Sequence, residues 1–256
     1  MTVPETGKYL SRLDILGVQV DRVDQGEALG IIEAMLNTPA CKQVVTLNPE
    51  YVMRANREPE LMRIINGADL NVPDGMGIVW ASRLLGQPLR GRVTGTGLLP
   101  AIGKLCADRG CSMFLLGGGP GVAELAASRL KEQIPGFEVA GFSSNDPGPA
   151  FDPQTIEAIN NSGAGILAVA YGCPKQDLWI SANRGKLKGV RVAIGVGGAL
   201  DFISGQVPRA PKAFRRMGLE WLFRLWLEPS RARRMAALPR FGWHVMMTRK
   251  WGHKRS

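Results

Sequence analysis

QVVTLNPEYVMRANREPELMRIINGADLNVPDGMGIVW, residues 43–80, holds two short apolar runs, 44–47 and 70–72, of the kind that form buried strands of a parallel sheet. Each runs into a polar turn, Thr46-Leu47-Asn48-Pro49 in one case and Pro73-Asp74-Gly75 in the other. Between them, Tyr51, Val52, Ala55, Leu61, Ile64 and Ile65 recur at mixed helical spacing, so the stretch reads as a strand–helix–strand unit. In such a unit the carboxyl ends of the strands open on the ligand crevice. Thr46, Asn48 and Asp74 then converge on one mouth, and Asp74 is the only carboxylate among them. Two readings of Asp74 follow. It is a general base, or it caps a helix beginning near Met76, a position that Asp favours.

Working outward, residues 15–20 read as a first strand and Asp24 to about Leu36 as a helix. Residues 76–85 continue the unit as a helix. The basic, Gly-rich turn 90–97 leads into another, where backbone N–H groups beside Arg92 and Thr94 suit an anion unless this is an ordinary loop. Residues 111–116 form a strand that enters Gly117-Gly118-Gly119-Pro120-Gly121 and a helix over 122–133. That turn is a nucleotide-phosphate signal or simply a close strand-to-helix connection. It lacks the G-x-x-x-x-G-K-[ST] loop and a clean dinucleotide fingerprint. Residues 143–153 are a loop by composition, and 165–171 and 190–196 are further buried strands. Asp201, after the last of these, either accepts from a ribose or base or caps the next turn. Strands alternating with helices throughout imply a doubly wound α/β sheet.

Composition narrows the chemistry. The 256 residues suffice for one large domain or two small ones. Cys41, Cys106, Cys111 and Cys173 form no C-x-x-C pair and read as reduced thiols rather than a zinc site. The only histidines, His244 and His253, lie in the last thirteen residues, which excludes a Ser-His-Asp or Cys-His arrangement in the body of the protein. Residues 1–14 are polar, so no signal peptide is expected. The longest uncharged run, 158–174, is short of the ~20 apolar residues that a spanning helix needs.

The net charge of +10 is uneven. Residues 207–256 carry 13 Lys plus Arg against 2 Glu, a surplus of +11, and four of the six tryptophans; the rest of the chain sums to −1. Phe214, Met217, Trp221, Leu222, Leu225 and Trp226 recur there at helical spacing among Arg215, Arg216 and Arg224. Basic amphipathic helices with Trp fit a membrane interface. Nucleic acid tolerates the same charge, but no nucleic-acid motif accompanies it; a packed helix with a solvated basic face is the third reading. The chain divides into an α/β core over 1–206 and a basic, Trp-rich helical appendage over 207–256.

The stretches TLNPEYV (46–52), ADLNVPDGMGIVWASRLLG (68–86), RVTGTGLLP (92–100), FLLGGGPGVAE (114–124), YGCPKQDLWI (171–180), VAIGVGGALDFISG (192–205) and RAPKAFRRMGLEWLFRL (209–225) together resemble the WecG/TagA/CpsF family of bacterial glycosyltransferases. Seven ordered blocks are far more specific than any one. The resemblance implies a Rossmann-like α/β core of the GT-E type with a C-terminal membrane-associating appendage. It implies inverting transfer of a sugar (N-acetylmannosamine, its uronic acid, or glucose) from a UDP-sugar to a polyprenyl-pyrophosphate-linked saccharide on the inner face of the cytoplasmic membrane. It places the general base on Asp74, with Thr46, Asn48 and Gln176 as catalytic neighbours. The substrate and UDP site falls on Arg92, Thr94, Gly95, Gly117, Gly118, Tyr171, Gly172, Lys175, Gly197, Gly198 and Asp201, and appendage arginines fall on Arg224, Arg231 and Arg234. Asp177, Cys173 and Phe223 depart from the commoner Glu, Ala and Tyr.

Inverting transfer needs one base to take the acceptor hydroxyl's proton. Partial burial raises the proton affinity of Asp74, while Thr46, Asn48 and Gln176 orient a sugar without competing for that proton. No D-x-D occurs. The expectation is therefore no metal and no cofactor, with Arg224, Arg231 and Arg234 neutralising the leaving UDP by forked contacts. The expected partners are the two substrates and an anionic membrane surface, not nucleic acid, and a homo-oligomer whose interface competes with docking of the tail. Two other classes compete: a nicotinamide-dependent oxidoreductase using the Gly117–Gly121 turn, and a non-catalytic binding protein using the basic tail.

Overall fold

The computed structural model describes residues 11–144, 153–211, 214, 220–227, 229 and 236–252. Among these, β3 (Lys42–Leu47), β4 (Leu70–Pro73), β5 (Ser112–Gly117), β6 (Glu138–Ser143), β7 (Ile166–Ala170) and β8 (Val192–Gly195) form a six-stranded sheet in the order β4-β3-β8-β7-β5-β6. Every neighbouring pair in it is parallel. The α/β, Rossmann-like expectation holds.

Period-two alternation sorts the strand side chains onto two faces. Ile166 and Ala168 of β7, Met113 and Leu115 of β5, and Val192 and Ile194 of β8 point to one core. There they meet α1 (Gln25–Leu36), α5 (Gly95–Arg109), α6 (Val122–Gln133) and α9 (Ala199–Ile203). Leu167, Val169, Phe114 and Leu116 point the other way, onto α7 (Pro153–Ser162) and α8 (Lys175–Asn183). Val45 and Leu47 of β3 share that second face but meet α2 (Pro49–Ala55), α3 (Pro59–Asn66) and α4 (Met76–Leu84). The near-continuous apolar strands are what a sheet covered on both faces requires.

Local signals set several boundaries. Asp24 caps α1 through a reciprocal box: its Oδ1 accepts from Glu27 N at 2.9 Å, and its own N–H donates to Glu27 Oε2 at 3.0 Å. The segment between β3 and β4 is two helices, because Pro59 opens a second one after the first ends at Ala55. The first strand expected over 15–20 is instead a hairpin, β1 (Arg12–Ile15) with β2 (Val18–Asp21). Leu16 (φ 55°) and Gly17 (φ 85°) reverse the chain within what reads as one apolar run. Strand β6 and helix α7 have no counterpart in the sequence reading. β6 is an edge strand whose side chains are mostly half-exposed, so its apolar pattern is faint.

Among the described residues beyond α9, the helices α10 (Glu220–Leu227) and α11 (Ala237–Gly252) bear on the site. Phe241 and Val245, one helical turn apart, are 4 % and 1 % exposed and lie in the core formed with α2 and α4. No helix among the described residues is long and apolar enough to cross a membrane.

Candidate functional site

A cavity of about 950 Å³ opens at the carboxyl edge of the sheet, where β3, β4, β7 and β8 end side by side. Strand-end turns supply its polar lining: Thr46 and Asn48 after β3, Asp74 after β4, Tyr171 and Gly172 after β7, and Gly197, Gly198 and Asp201 after β8. Gly118 lines it from the β5 turn, and Arg92 and Thr94 from the loop before α5. Most of the expected site residues are thus brought together. Gly95 and Gly117 lie just behind this lining, Lys175 is exposed and outside it, and Arg231, Arg234 and the Arg224 side chain fall outside the described residues.

Asp74 is not a cap. The N-cap of α4 is Gly75, with no side-chain cap bond. Its carboxylate instead reaches across to the next helix, where Oδ2 accepts from Gly95 N, the first residue of α5, at 3.1 Å. Burial pushes its pKa up to about 6, against partial opposition from that Gly95 hydrogen bond and from the charge of Arg92; nearby Glu220 raises it further. A carboxylate that desolvated sits close to the range in which a general base works at neutral pH.

The neutral neighbours are already committed to the protein. Thr46 Oγ1 donates to Gly195 O at 2.9 Å. Asn48 caps α2, its Oδ1 accepting from Tyr51 N at 3.1 Å, which leaves the amide Nδ2 for a ligand. Gln176 is fully buried and engaged at both ends: Nε2 donates to Tyr51 Oη at 2.7 Å, and Oε1 accepts from Gly197 N at 2.9 Å. Tyr51 Oη in turn donates to Asp177 Oδ2 at 2.5 Å. Burial raises the Asp177 pKa to about 6 despite this bond. Gln176 thus acts chiefly on the β8–α9 turn, rather than reaching freely into the cavity. Gly195 makes room for it: a Cβ there would lie 2.3 Å from Gln176 Nε2.

Opposite this polar floor stands an apolar wall that sequence reasoning missed. The cavity is lined there by Trp80, Ala81 and Leu84 of α4, Trp221 of α10, and Leu238, Phe241 and Val245 of α11, with Ala81, Phe241 and Val245 packed in one buried cluster. The i, i+4 spacings of Trp80 with Leu84 and of Phe241 with Val245 are the signal that was available. Thr94 caps α5, its Oγ1 accepting from Gly97 N at 3.1 Å, and Arg92 pairs with Glu220 at 2.6 Å. The anion-binding reading of that turn therefore starts from an arginine that already has a carboxylate partner. No group of three His, Cys, Asp or Glu side chains among the described residues is arranged to hold a metal ion.

A parallel α/β sheet with a desolvated aspartate at its switch-side crevice defines a class of catalytic sites rather than one enzyme. Comparison with known proteins narrows it. The model of the WecG/TagA/CpsF glycosyl transferase family matches residues 13–256, and the chain belongs to that family. It is a glycosyltransferase. It is similar to an N-acetylglucosaminyldiphosphoundecaprenol N-acetyl-beta-D-mannosaminyltransferase of Bacillus spizizenii, 35% identical over 199 residues, covering 77% of this chain and 76% of the relative. A protein of the same name from Staphylococcus aureus is 29% identical over 255 residues, 98% of each chain.

Proposed function

We propose that the protein transfers a sugar of the N-acetylmannosamine type from a UDP-sugar to a saccharide linked through diphosphate to a polyprenol, with inversion at the anomeric carbon. The observation that carries this is Asp74: a carboxylate with a pKa of about 6, held by Gly95 N at the strand-end mouth of a large cavity, in a chain of this family. The names of the relatives supply the sugar and acceptor class. In the reaction Asp74 takes the proton of the acceptor hydroxyl as that oxygen bonds to the anomeric carbon. The bond from that carbon to UDP breaks, and UDP leaves with the electron pair. The Gly118 turn and Asp201 line the same cavity, which supports reading them as backbone and carboxylate contacts to the nucleotide.

The acceptor's lipid accounts for the apolar wall and the basic tail. The enzyme works peripherally, on the inner face of the cytoplasmic membrane, where anionic headgroups attract each Lys or Arg of the +11 tail by about 1 kcal/mol. Transfer proceeds without a metal, charge on the leaving UDP being met by arginines of the tail. Release of UDP from UDP-N-acetylmannosamine, with and without a polyprenyl-diphosphate saccharide, tests the reading. Acceptor-dependent release should fall about 10²–10⁴-fold in Asp74→Asn. Because the base must be ionised, kcat/KM should climb as pH rises through about 6 and level above it. Turnover that survives excess EDTA agrees with arginine neutralisation, and loss restored by Mg²⁺ refutes it. Undiminished release by Asp74→Asn would remove the base.

A further inference from the structure

Arg92 and Glu220 are 128 positions apart, yet Arg92 Nη1 meets Glu220 Oε2 at 2.6 Å in the wall of the cavity, both side chains mostly shielded from solvent. A second tether joins the same regions, Arg209 Nη2 donating to Thr96 Oγ1 at 3.1 Å. Asp74 also lies within the field of Arg92, and among the described residues Arg92 and Glu220 are the charged groups that act on it, in opposite senses. Among the described residues, the other ionisable side chains around the cavity are Glu50 and Tyr51 from α2, Tyr171 and Cys173 after β7, and Asp201 from α9. One guanidinium thus faces two carboxylates and bonds the one that arrives from the C-terminal segment. A forked contact with Asp74 instead would favour its ionised form and weaken it as a base.

We propose that Glu220 is a positioning residue for the transfer: carried in on α10, it takes Arg92 as its partner and keeps the guanidinium off Asp74, so that the base is set only when the C-terminal segment is docked. This deepens the reading of Asp74 as the base and rests on it. The alternative arrangement, with Arg92 on Asp74, belongs to the undocked protein. The device links two events that a lipid-acceptor enzyme needs together, closure of the apolar wall and readiness of the proton acceptor.

The test titrates Asp74 by carboxyl-carbon NMR in the full-length protein and in Glu220→Gln, Arg92→Gln and the double variant, alongside the pH dependence of kcat/KM. In Glu220→Gln the Asp74 midpoint should fall by roughly half a unit to one unit, as Arg92 turns to it, and in Arg92→Gln it should rise by a similar amount. Glu220 also raises the Asp74 pKa directly, so adding Glu220→Gln to Arg92→Gln should still lower the midpoint, but by less than in the wild-type background, the difference being the part carried through Arg92. Glu220→Asp should restore the wild-type midpoint. Equal shifts in both backgrounds, shifts of one sign in the two single variants, or no shift would overturn the proposal. Midpoints that move as stated while the acid limb of kcat/KM stays fixed would overturn Asp74 as the base and leave the control of Arg92 standing.

Discussion

The two sides of the cavity are built on opposite principles. Its floor is polar and its groups are held by hydrogen bonds within the core: Thr46 to Gly195, Asn48 to Tyr51, Gln176 to Tyr51 and Gly197, Asp74 to Gly95. Its wall is apolar, and parts of it face solvent. Trp80 is 44 % exposed and Trp221 is exposed as well; Leu222 and Trp226 on α10 and Trp243 and Met246 on α11, outside the cavity lining, are exposed apolar side chains of the same helices. A floor held in place keeps donors and acceptors oriented before substrate arrives, as catalysis by position and charge demands. A wall of loosely covered tryptophans instead suits a greasy ligand or surface, which needs area rather than geometry.

If the wall is anchored to the body mainly by the buried turn of α11, Phe241→Ala should cost about 3–5 kcal/mol locally. Limited proteolysis should then release the C-terminal segment while the sheet keeps its protection. Concerted unfolding of the whole chain would erase the distinction between the two sides. The floor holds a strain of its own. The Asp74 pKa is raised in the folded state, so the folded protein binds the extra proton and gains stability as pH falls from above 6 toward 4. Asp74→Asn removes the cost of a buried charge and should stabilise the protein by about 1–3 kcal/mol at pH 8, the gain vanishing near pH 4. Thermal melts of wild type and variant across that range check both sign and window. The smallest effect on folding belongs to the wall: Trp80→Ser should change stability by only about 0.5 kcal/mol, as exposed positions do. It should nevertheless raise KM for the lipid-linked acceptor several-fold while leaving a short-chain acceptor unaffected, which steady-state assays with both would distinguish.

Asp177 shows how a buried side chain can matter without touching the cavity. It accepts from Tyr51, which receives Gln176, which fixes Gly197. Among the described residues its Oδ1 has no hydrogen-bond partner. Such a layer keeps the strand-end turn in one arrangement, and each member is buried because the turn above it is the part that meets ligand.

Local chemistry was legible from the chain alone. The alternation of apolar runs with helical stretches, the helix starting near Asp24, the Val122–Gln133 helix, the convergence of Thr46, Asn48 and Asp74 at strand ends, and the position of Asp201 after the last strand follow from period and the rule that strand ends face the crevice, whereas Tyr171 and Gly197 entered the site through the family resemblance. The hairpin at Leu16-Gly17 and the edge strand β6 escaped, one because a leucine adopts positive φ, the other because an edge strand buries too little to leave a pattern. What only the tertiary structure decided is which distant groups meet. The strand order β4-β3-β8-β7-β5-β6 brings Gln176 under Gly197 and Asp74 beside Gly95, and the folded-back C-terminal segment brings Glu220 to Arg92 and Phe241 to the core of α2 and α4. Periodicity records whether a residue is buried; it carries no record of what buries it, and the roles of Asp74, Gln176 and Arg92 depend on the second.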